Sequence, residues 1–247
     1  MVTPSAEEQD RANDAPPYRL LLDAAVMERY PTYSTLIIYV CNLSNGPSDE
    51  WSTMLLRQAE QQQRERMSLD MLSTNPAIYA WREAYKSFGA KPKKYLSSLE
   101  SLLARTLKGQ DIPPINGLVD VYDAISVKHL LPVGGEDWEQ LTSDLVLTVA
   151  TGSEPFVAMQ EGVETVTYPE PGEIIWADRT GVTCRRWNWR QGLRTRLTEE
   201  TRHVYFVLDR LAPYSLEALK AAGEELKQTL QHRFPTSTIT TDLLQAR

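Results

Sequence analysis

Four stretches of the chain carry residue types whose spacing suits chemistry on a polar, anionic or ester-bearing ligand. The first is Leu131-Pro132-Val133-Gly134-Gly135-Glu136-Asp137. Adjacent glycines let a backbone come close to a ligand or turn to positive φ. Their amides suit an anion or a carbonyl oxygen, and Glu136 suits an amino group or a water. Without a ligand the same run reads as a plain turn. The second stretch is Ile115 to Asp123. Asn116 fits a helix N-cap. Asp120 and Asp123, three apart, share a helical face where an acid pair is unfavourable unless a cation stands nearby. That face is either solvated or part of a site.

The third stretch, Cys184 to Arg196, holds five arginines within twelve residues (Arg185, Arg186, Arg190, Arg194 and Arg196), with Trp187 and Trp189 between them. Guanidinium groups suit phosphates, and indole rings suit base stacking. Read as the end of a strand, the run turns Arg185, Trp187 and Trp189 one way and Arg186, Asn188 and Arg190 the other. One face would meet a core and the other a pocket; a purely structural tryptophan anchor is the alternative. The fourth stretch is the loop Ser87 to Tyr95, whose Lys91, Lys93 and Lys94 suit a phosphate backbone or simply solvent.

The sequence offers no H-E-x-x-H, Walker loop, G-x-G-x-x-G or G-x-S-x-G, and His129, His203 and His232 are scattered. No metal and no cofactor is expected. The net charge of −7 excludes a broad basic coat for nucleic acid and leaves room for a local basic patch. Cys41 and Cys184, far apart and without paired spacing, read as free buried thiols. Residues 1–17 read as a disordered acidic leader closed by Pro16-Pro17, unlike a secretory signal, and no apolar run reaches membrane-spanning length. The expectation is a soluble, cytoplasmic protein with no membrane contact and an oligomeric state the sequence leaves open.

The elements that must hold these stretches follow from periodicity. Leu36 to Val40 is a β-branched and aromatic run typical of a buried strand. After the turn at Asn45-Gly46-Pro47-Ser48, Ser48 or Asp49 caps a helix to about Met67. Further helices are predicted over about 76–87, 97–108, ended by Gly109, and 117–129. Beyond about residue 144 the pattern turns to strands at 145–149, 173–176, 182–185 and 203–208, with a hairpin turn at 178–181. A helix over about 215–232 and an edge strand at 236–241 close the chain. Helices and strands in separate runs point to an α+β fold, with residues 18–247 as one compact unit after the leader.

Taken in order, "AWREAYKSFGAKPKKY", "INGLVDVYDAISVKHLLPVGGED", "PGEIIW" and "CRRWNWRQGLRTRLTEET" resemble free-standing B3/B4 domain proteins. These are similar to the tRNA-editing module of the phenylalanyl-tRNA synthetase beta subunit. The resemblance spans about residues 18–211 and implies an α+β domain around a central pocket. It also implies metal-free hydrolysis of a mischarged aminoacyl-tRNA. Under it Glu136, Asn116 and Asn188 would carry catalysis. Lys91, Lys93, Lys94, Asp120, Asp123, Gly134, Gly135, Arg185, Arg186, Trp187 and Arg190 would bind substrate. Arg185, Arg186 and Arg190 would hold the terminal phosphates of the 3′ end, and an amino acid would fill the pocket. The synthetase module's Pro-Leu-His-Ala-Phe-Asp run falls on residues 132–137, which puts its histidine on Gly134. Its Thr-Asn pair falls on Tyr122-Asp123. Two other functions fit the same residues: a non-catalytic module for an amino acid, nucleotide or charged tRNA, and a tRNA-dependent transferase.

Overall fold

The protein is described by a computed structural model over residues 16–245, so the predicted leader lies outside the described residues except for Pro16 and Pro17. A short strand, β1 (Leu20–Leu22), and a short helix, α1 (Ala24–Arg29), precede β2 (Ser34–Cys41). Four helices follow: α2 (Glu50–Arg66), α3 (Pro76–Ser87), α4 (Ser98–Leu107) and α5 (Gly117–His129). Each starts at the kind of residue that satisfies its free amides. Asp49 caps α2 in a reciprocal pair with Ser52, Asn75 and Pro76 open α3, Ser97 caps α4 and Asn116 caps α5.

The strands then accumulate: β3 (Val133–Asp137), β4 (Leu145–Val149), β5 (Phe156–Gln160), β6 (Val163–Thr167), β7 (Ile174–Asp178), β8 (Gly181–Arg185), β9 (Arg190–Gln191) and β10 (Val204–Arg210). Helix α6 (Leu216–Arg233) and β11 (Thr238–Gln245) complete the order, with β11 at a sheet edge as its pattern predicts. The fold is α+β, with helices mainly early and strands mainly late.

Two sheets are stacked. One is antiparallel in the order β11-β2-β10-β3; the other runs β1-β4-β7-β8-β9 and is antiparallel apart from the β1–β4 pair. Period-two alternation splits β2 and β10 between two cores. Leu36, Ile38, Val40, Phe206 and Leu208 pack under α5 and α6. Ile37, Tyr39, Tyr205 and Val207 face the second sheet, against Leu145, Leu147, Ile174 and Trp176. A third cluster, from Leu56, Ile78, Leu99, Leu103 and Val127, ties the early helices together. Each fully buried aliphatic side chain stabilises such a core by roughly 1.5–3 kcal/mol. Helix α6 lies so close to its sheet that a Cβ on Gly223 would stand 2.1 Å from Leu36 Cδ2.

Two local expectations change. The run 132–137 is an edge strand paired to β10, with Glu136 opposite Tyr205 and Gly134 opposite Val207. Cross-strand pairing overrides the turn preference of two glycines, because the edge position requires no side-chain packing from Gly134. The strand alternation expected through 185–190 also fails. Arg186 and Trp187 both adopt positive φ (47° and 68°), so β8 turns sharply and the chain returns as β9.

Candidate functional site

A cavity of about 300 Å³ lies between the two sheets at the β3 edge. This is the lower end of small-molecule pocket sizes. Strand β3 supplies Gly134, Gly135 and Glu136, strand β10 supplies Tyr205, Val207 and Asp209, and α5 supplies Tyr122 and Asp123. The opposite wall is Trp176, Cys184, Trp187, Asn188, Trp189 and Arg190. The predicted segments 132–137, 116–123 and 185–190 therefore each contribute to one cavity.

The carboxyl groups dominate its polar chemistry. Glu136 is buried, and its Oε2 accepts from the Tyr205 hydroxyl at 2.6 Å. Burial pushes its carboxyl above the usual range, partly offset by the Tyr205 hydroxyl and by the hydroxyls of Thr195 and Thr183. Both threonines are fully buried and hold no side-chain hydrogen bond of standard geometry. Asp123 has no hydrogen-bond or ion-pair partner among the described residues; burial first, then the neighbouring Asp120 charge, raises it to about 8. Asp209, raised by burial to about 6, accepts from Tyr33 Oη at 2.7 Å and from Asn188 Nδ2 at 3.1 Å. Asn188 is fixed at its other end by the Tyr85 hydroxyl, which donates to Oδ1 at 2.9 Å.

Gly135 brings a backbone donor to this space. In an antiparallel ladder successive residues point their amides alternately toward and away from the partner strand. Asp137 N–H turns outward to Thr195 O (2.9 Å), and Gly135 O turns outward to accept from Gln191 Nε2 (2.9 Å). Gly135 N–H therefore also points away from β10, at the cavity edge, with no acceptor among the described residues. Only glycine fits there: a Cβ would stand 2.8 Å from the Phe206 ring. Above Gly134, by contrast, a Cβ meets nothing within 4 Å.

Other predicted site residues lie elsewhere. Asn116 caps α5 through Val119 N (3.1 Å), donates to Leu197 O (3.2 Å) and does not line the cavity. Asp120 is buried behind it, accepting from Ser52 Oγ (2.8 Å) and Ile115 N (2.9 Å). Arg185 and Arg186 are turned inward onto Glu173, which corrects their expected contact with phosphates. Arg185 makes a bidentate pair (2.9 and 2.8 Å), and Arg186 adds its backbone amide (3.1 Å) and Nη2 (3.4 Å). The buried carboxylate of Glu173, twelve residues before Arg185, needs cations, and these two supply them. Trp187 is a core anchor, edge-on to Tyr30, Tyr33 and Trp81, while also reaching the cavity wall.

The exposed cations form a stacked series toward the cavity. Lys94 lies over the Tyr95 ring (5.2 Å), Tyr95 covers buried Arg186 (3.7 Å), Arg186 stacks on Trp189 (4.5 Å), and exposed Arg190 lies 5.9 Å from Trp189. Lys91 and Lys93 are exposed on the loop before Tyr95 and are outside the cavity lining. Neither cysteine is in a disulfide among the described residues, and Cys184 faces the cavity. Among the described residues no group of three or more His, Cys, Asp or Glu side chains is placed to hold a metal, and no helix is long and apolar enough to cross a membrane.

Residues that sequence reasoning missed are Tyr122, Trp176, Gln191, Tyr205 and Asp209. Tyr205, Val207 and Asp209 follow period-two spacing on one strand, which put an acid on the same face as two core residues.

A family model described as the B3/4 domain matches residues 80–244, about two thirds of the chain. No curated protein matches. Among solved structures, an N-terminal fragment of the phenylalanyl-tRNA synthetase beta subunit from Pyrococcus horikoshii is similar over 90% of this chain, at 13% identity and a TM-score of 0.44. This chain spans 50% of that fragment's length.

Proposed function

This chain belongs to the B3/4 domain family, and we propose that it acts in trans on charged tRNA, hydrolysing the ester of a wrongly attached amino acid. One observation carries the reading: Glu136, the outward Gly135 N–H, Asp123 and Asn188 share one cavity lined by aromatic rings. In this reading residues 18–247 work as one unit, in the cytoplasm.

Glu136 is the general base. A water held on Oε1 loses a proton to it while the oxygen attacks the ester carbonyl. The Tyr205 hydroxyl fixes the carboxylate through Oε2. Negative charge then develops on the former carbonyl oxygen. The Gly135 N–H and the second amide proton of Asn188 are donors fixed in advance for it. Collapse breaks the bond to the ribose oxygen, which takes the proton from Glu136. Free amino acid and tRNA with its terminal hydroxyl restored leave the site. The chemistry needs positioning more than a covalent nucleophile.

The 3′ end approaches along Lys94, Tyr95, Trp189 and Arg190, where exposed cations alternate with rings suited to base stacking. Arg190 is the terminal-phosphate contact, while Arg185 and Arg186 serve the wall behind it. Asn116 serves as a cap and not in catalysis.

The test is purified protein against tRNAs charged with each amino acid, following release of the amino acid. Release of at least one, lost in Glu136→Gln, is the expected result. A second reading, a module that holds its ligand without turnover, is favoured by the bare floor at Gly134, which brings no side chain to the reacting atoms. Binding without release from any charged tRNA would establish it instead.

A further inference from the structure

The cavity holds more carboxyl groups than one amino acid's ammonium group can answer. Asp123, Glu136 and Asp209 all line it. Among the lining residues Arg190 alone is basic, and its guanidinium is exposed at the rim, donating to Met159 O at 2.8 Å. Apart from Arg190 the lining therefore offers carboxyl groups and no cation, and Arg194 acts on Glu136 from outside it.

Their hydrogen bonds distinguish them. Asp209 is satisfied on both oxygens by Tyr33 and Asn188. Glu136 accepts from Tyr205 and has the hydroxyls of Thr183 and Thr195 beside it. Asp123 is met by nothing among the described residues, although it lies one helical turn from the buried carboxylate of Asp120. Beside Glu136 the hydroxyls of Thr183 and Thr195, 1% and 0% exposed, support its carboxylate from outside the cavity lining. A carboxyl group enclosed in this way is normally paired, so the partner of Asp123 is expected from a ligand or its waters. Trp176, Trp187, Trp189, Tyr122 and Tyr205 enclose the same space. Rings around carboxylates form a surface that attracts cations, through ring faces and charge together.

We infer that the cavity selects an amino acid whose side chain carries a positive charge, with Asp123 as the counter-ion of that side chain. This rests on the reading of the cavity as the aminoacyl site. The α-ammonium answers one carboxylate; the second cation answers Asp123, which ionises readily only when a positive charge stands beside it. Exposed Gly134 leaves room for an extended side chain, because a Cβ there meets nothing within 4 Å. A phenol or carboxylate side chain leaves Asp123 unanswered or opposes it.

The probes are free L-lysine, L-arginine, L-norleucine and L-tyrosine, read by calorimetry and by quenching of the wall tryptophans. The same comparison is then run as hydrolysis of tRNA charged with lysine and with Nε-acetyllysine. Lysine or arginine is expected to bind at least about tenfold tighter than norleucine, and Asp123→Asn to reduce that preference to within about threefold. The wild-type comparison stands even if the variant folds poorly. A protein that prefers lysine but leaves every charged tRNA intact keeps this inference and ends the hydrolase reading. Equal affinity for norleucine, or equal hydrolysis of the acetylated aminoacyl-tRNA, overturns the inference and spares the hydrolase reading. Absence of both binding and hydrolysis overturns both.

Discussion

Tyr205 and Glu136 face each other across β10 and β3, and the Tyr205 hydroxyl donates to Glu136 Oε2 at 2.6 Å within the buried wall of the cavity. Burial raises the Glu136 carboxyl, and this hydrogen bond pulls it back toward the ionised form. The proposed base thus depends on a tyrosine one strand away. Glu136→Gln is expected to lower deacylation by about 10²-fold or more, the usual scale for a positioned base. Tyr205→Phe removes a stabiliser of the carboxylate, so the acid limb of the kcat/KM profile moves to higher pH. A limb unmoved by Tyr205→Phe would assign the base to another group.

The two glycines of β3 are expected to respond oppositely. Gly135→Ala drives a Cβ to 2.8 Å from Phe206 Cδ1 and 3.1 Å from Leu197 Cδ1. Overpacking of this kind costs about 1–3 kcal/mol, read as a lower Tm. Gly134→Ala meets nothing within 4 Å and should leave Tm nearly unchanged while narrowing the cavity. Bulkier residues at 134 should weaken ligand binding progressively at constant stability. Equal Tm losses for the two alanine variants would contradict this division.

Most of the fold was legible because helix ends and apolar periods are local signals. Asn116, Ser97 and Asp49 announce helix starts, and the run Leu36 to Val40 announces a buried strand. The misread segments are those where a distant partner decides. Gly134-Gly135 looks like a turn until β10 pairs with it. The hairpin β5–β6 escaped because Val163, Val166 and Tyr168 are exposed and give its second half no buried face. The arginine run was read as a phosphate site because Glu173, its actual partner, lies twelve residues before Arg185 in a different strand–turn context. A shared pocket for Glu136 and Asp123 was an implication of the family resemblance, whereas Tyr205 and Asp209 required the register of β10.

Asp123 gives the protein a pH-dependent stability. Its carboxyl titrates at about 8 in the folded protein, against an ordinary value of 3.8. Between those values the native state keeps a proton that the unfolded chain has released. Stability therefore falls as pH rises through that window, and the loss levels off above the folded value. Asp209, raised to about 6, adds the same sign over the lower part of the window. Asp123→Asn removes the Asp123 contribution, so the variant should gain Tm relative to the wild type as pH rises from 5 toward 8. Melting curves across that range would show the gap widening; a constant gap would mean Asp123 titrates normally.

The arginines of the 185–194 region are expected to separate by salt dependence. Glu173 is buried and pairs with Arg185 and Arg186, whose side chains are only 10% and 6% exposed. Removing one partner from such a cluster leaves uncompensated buried charge, at a cost of about 3–5 kcal/mol. Glu173→Gln should therefore lower Tm sharply. Arg190 and Lys94 are exposed and available to phosphates. Each phosphate contact releases counterions, so Arg190→Ala and Lys94→Ala should each reduce the slope of log affinity against log salt by about 1. Both variants should keep the wild-type Tm. Binding of charged tRNA measured between low and physiological salt decides the matter. Slopes identical to the wild type in both variants would place the tRNA on another face of the molecule, and the stacked series from Lys94 to Arg190 would then serve the fold alone.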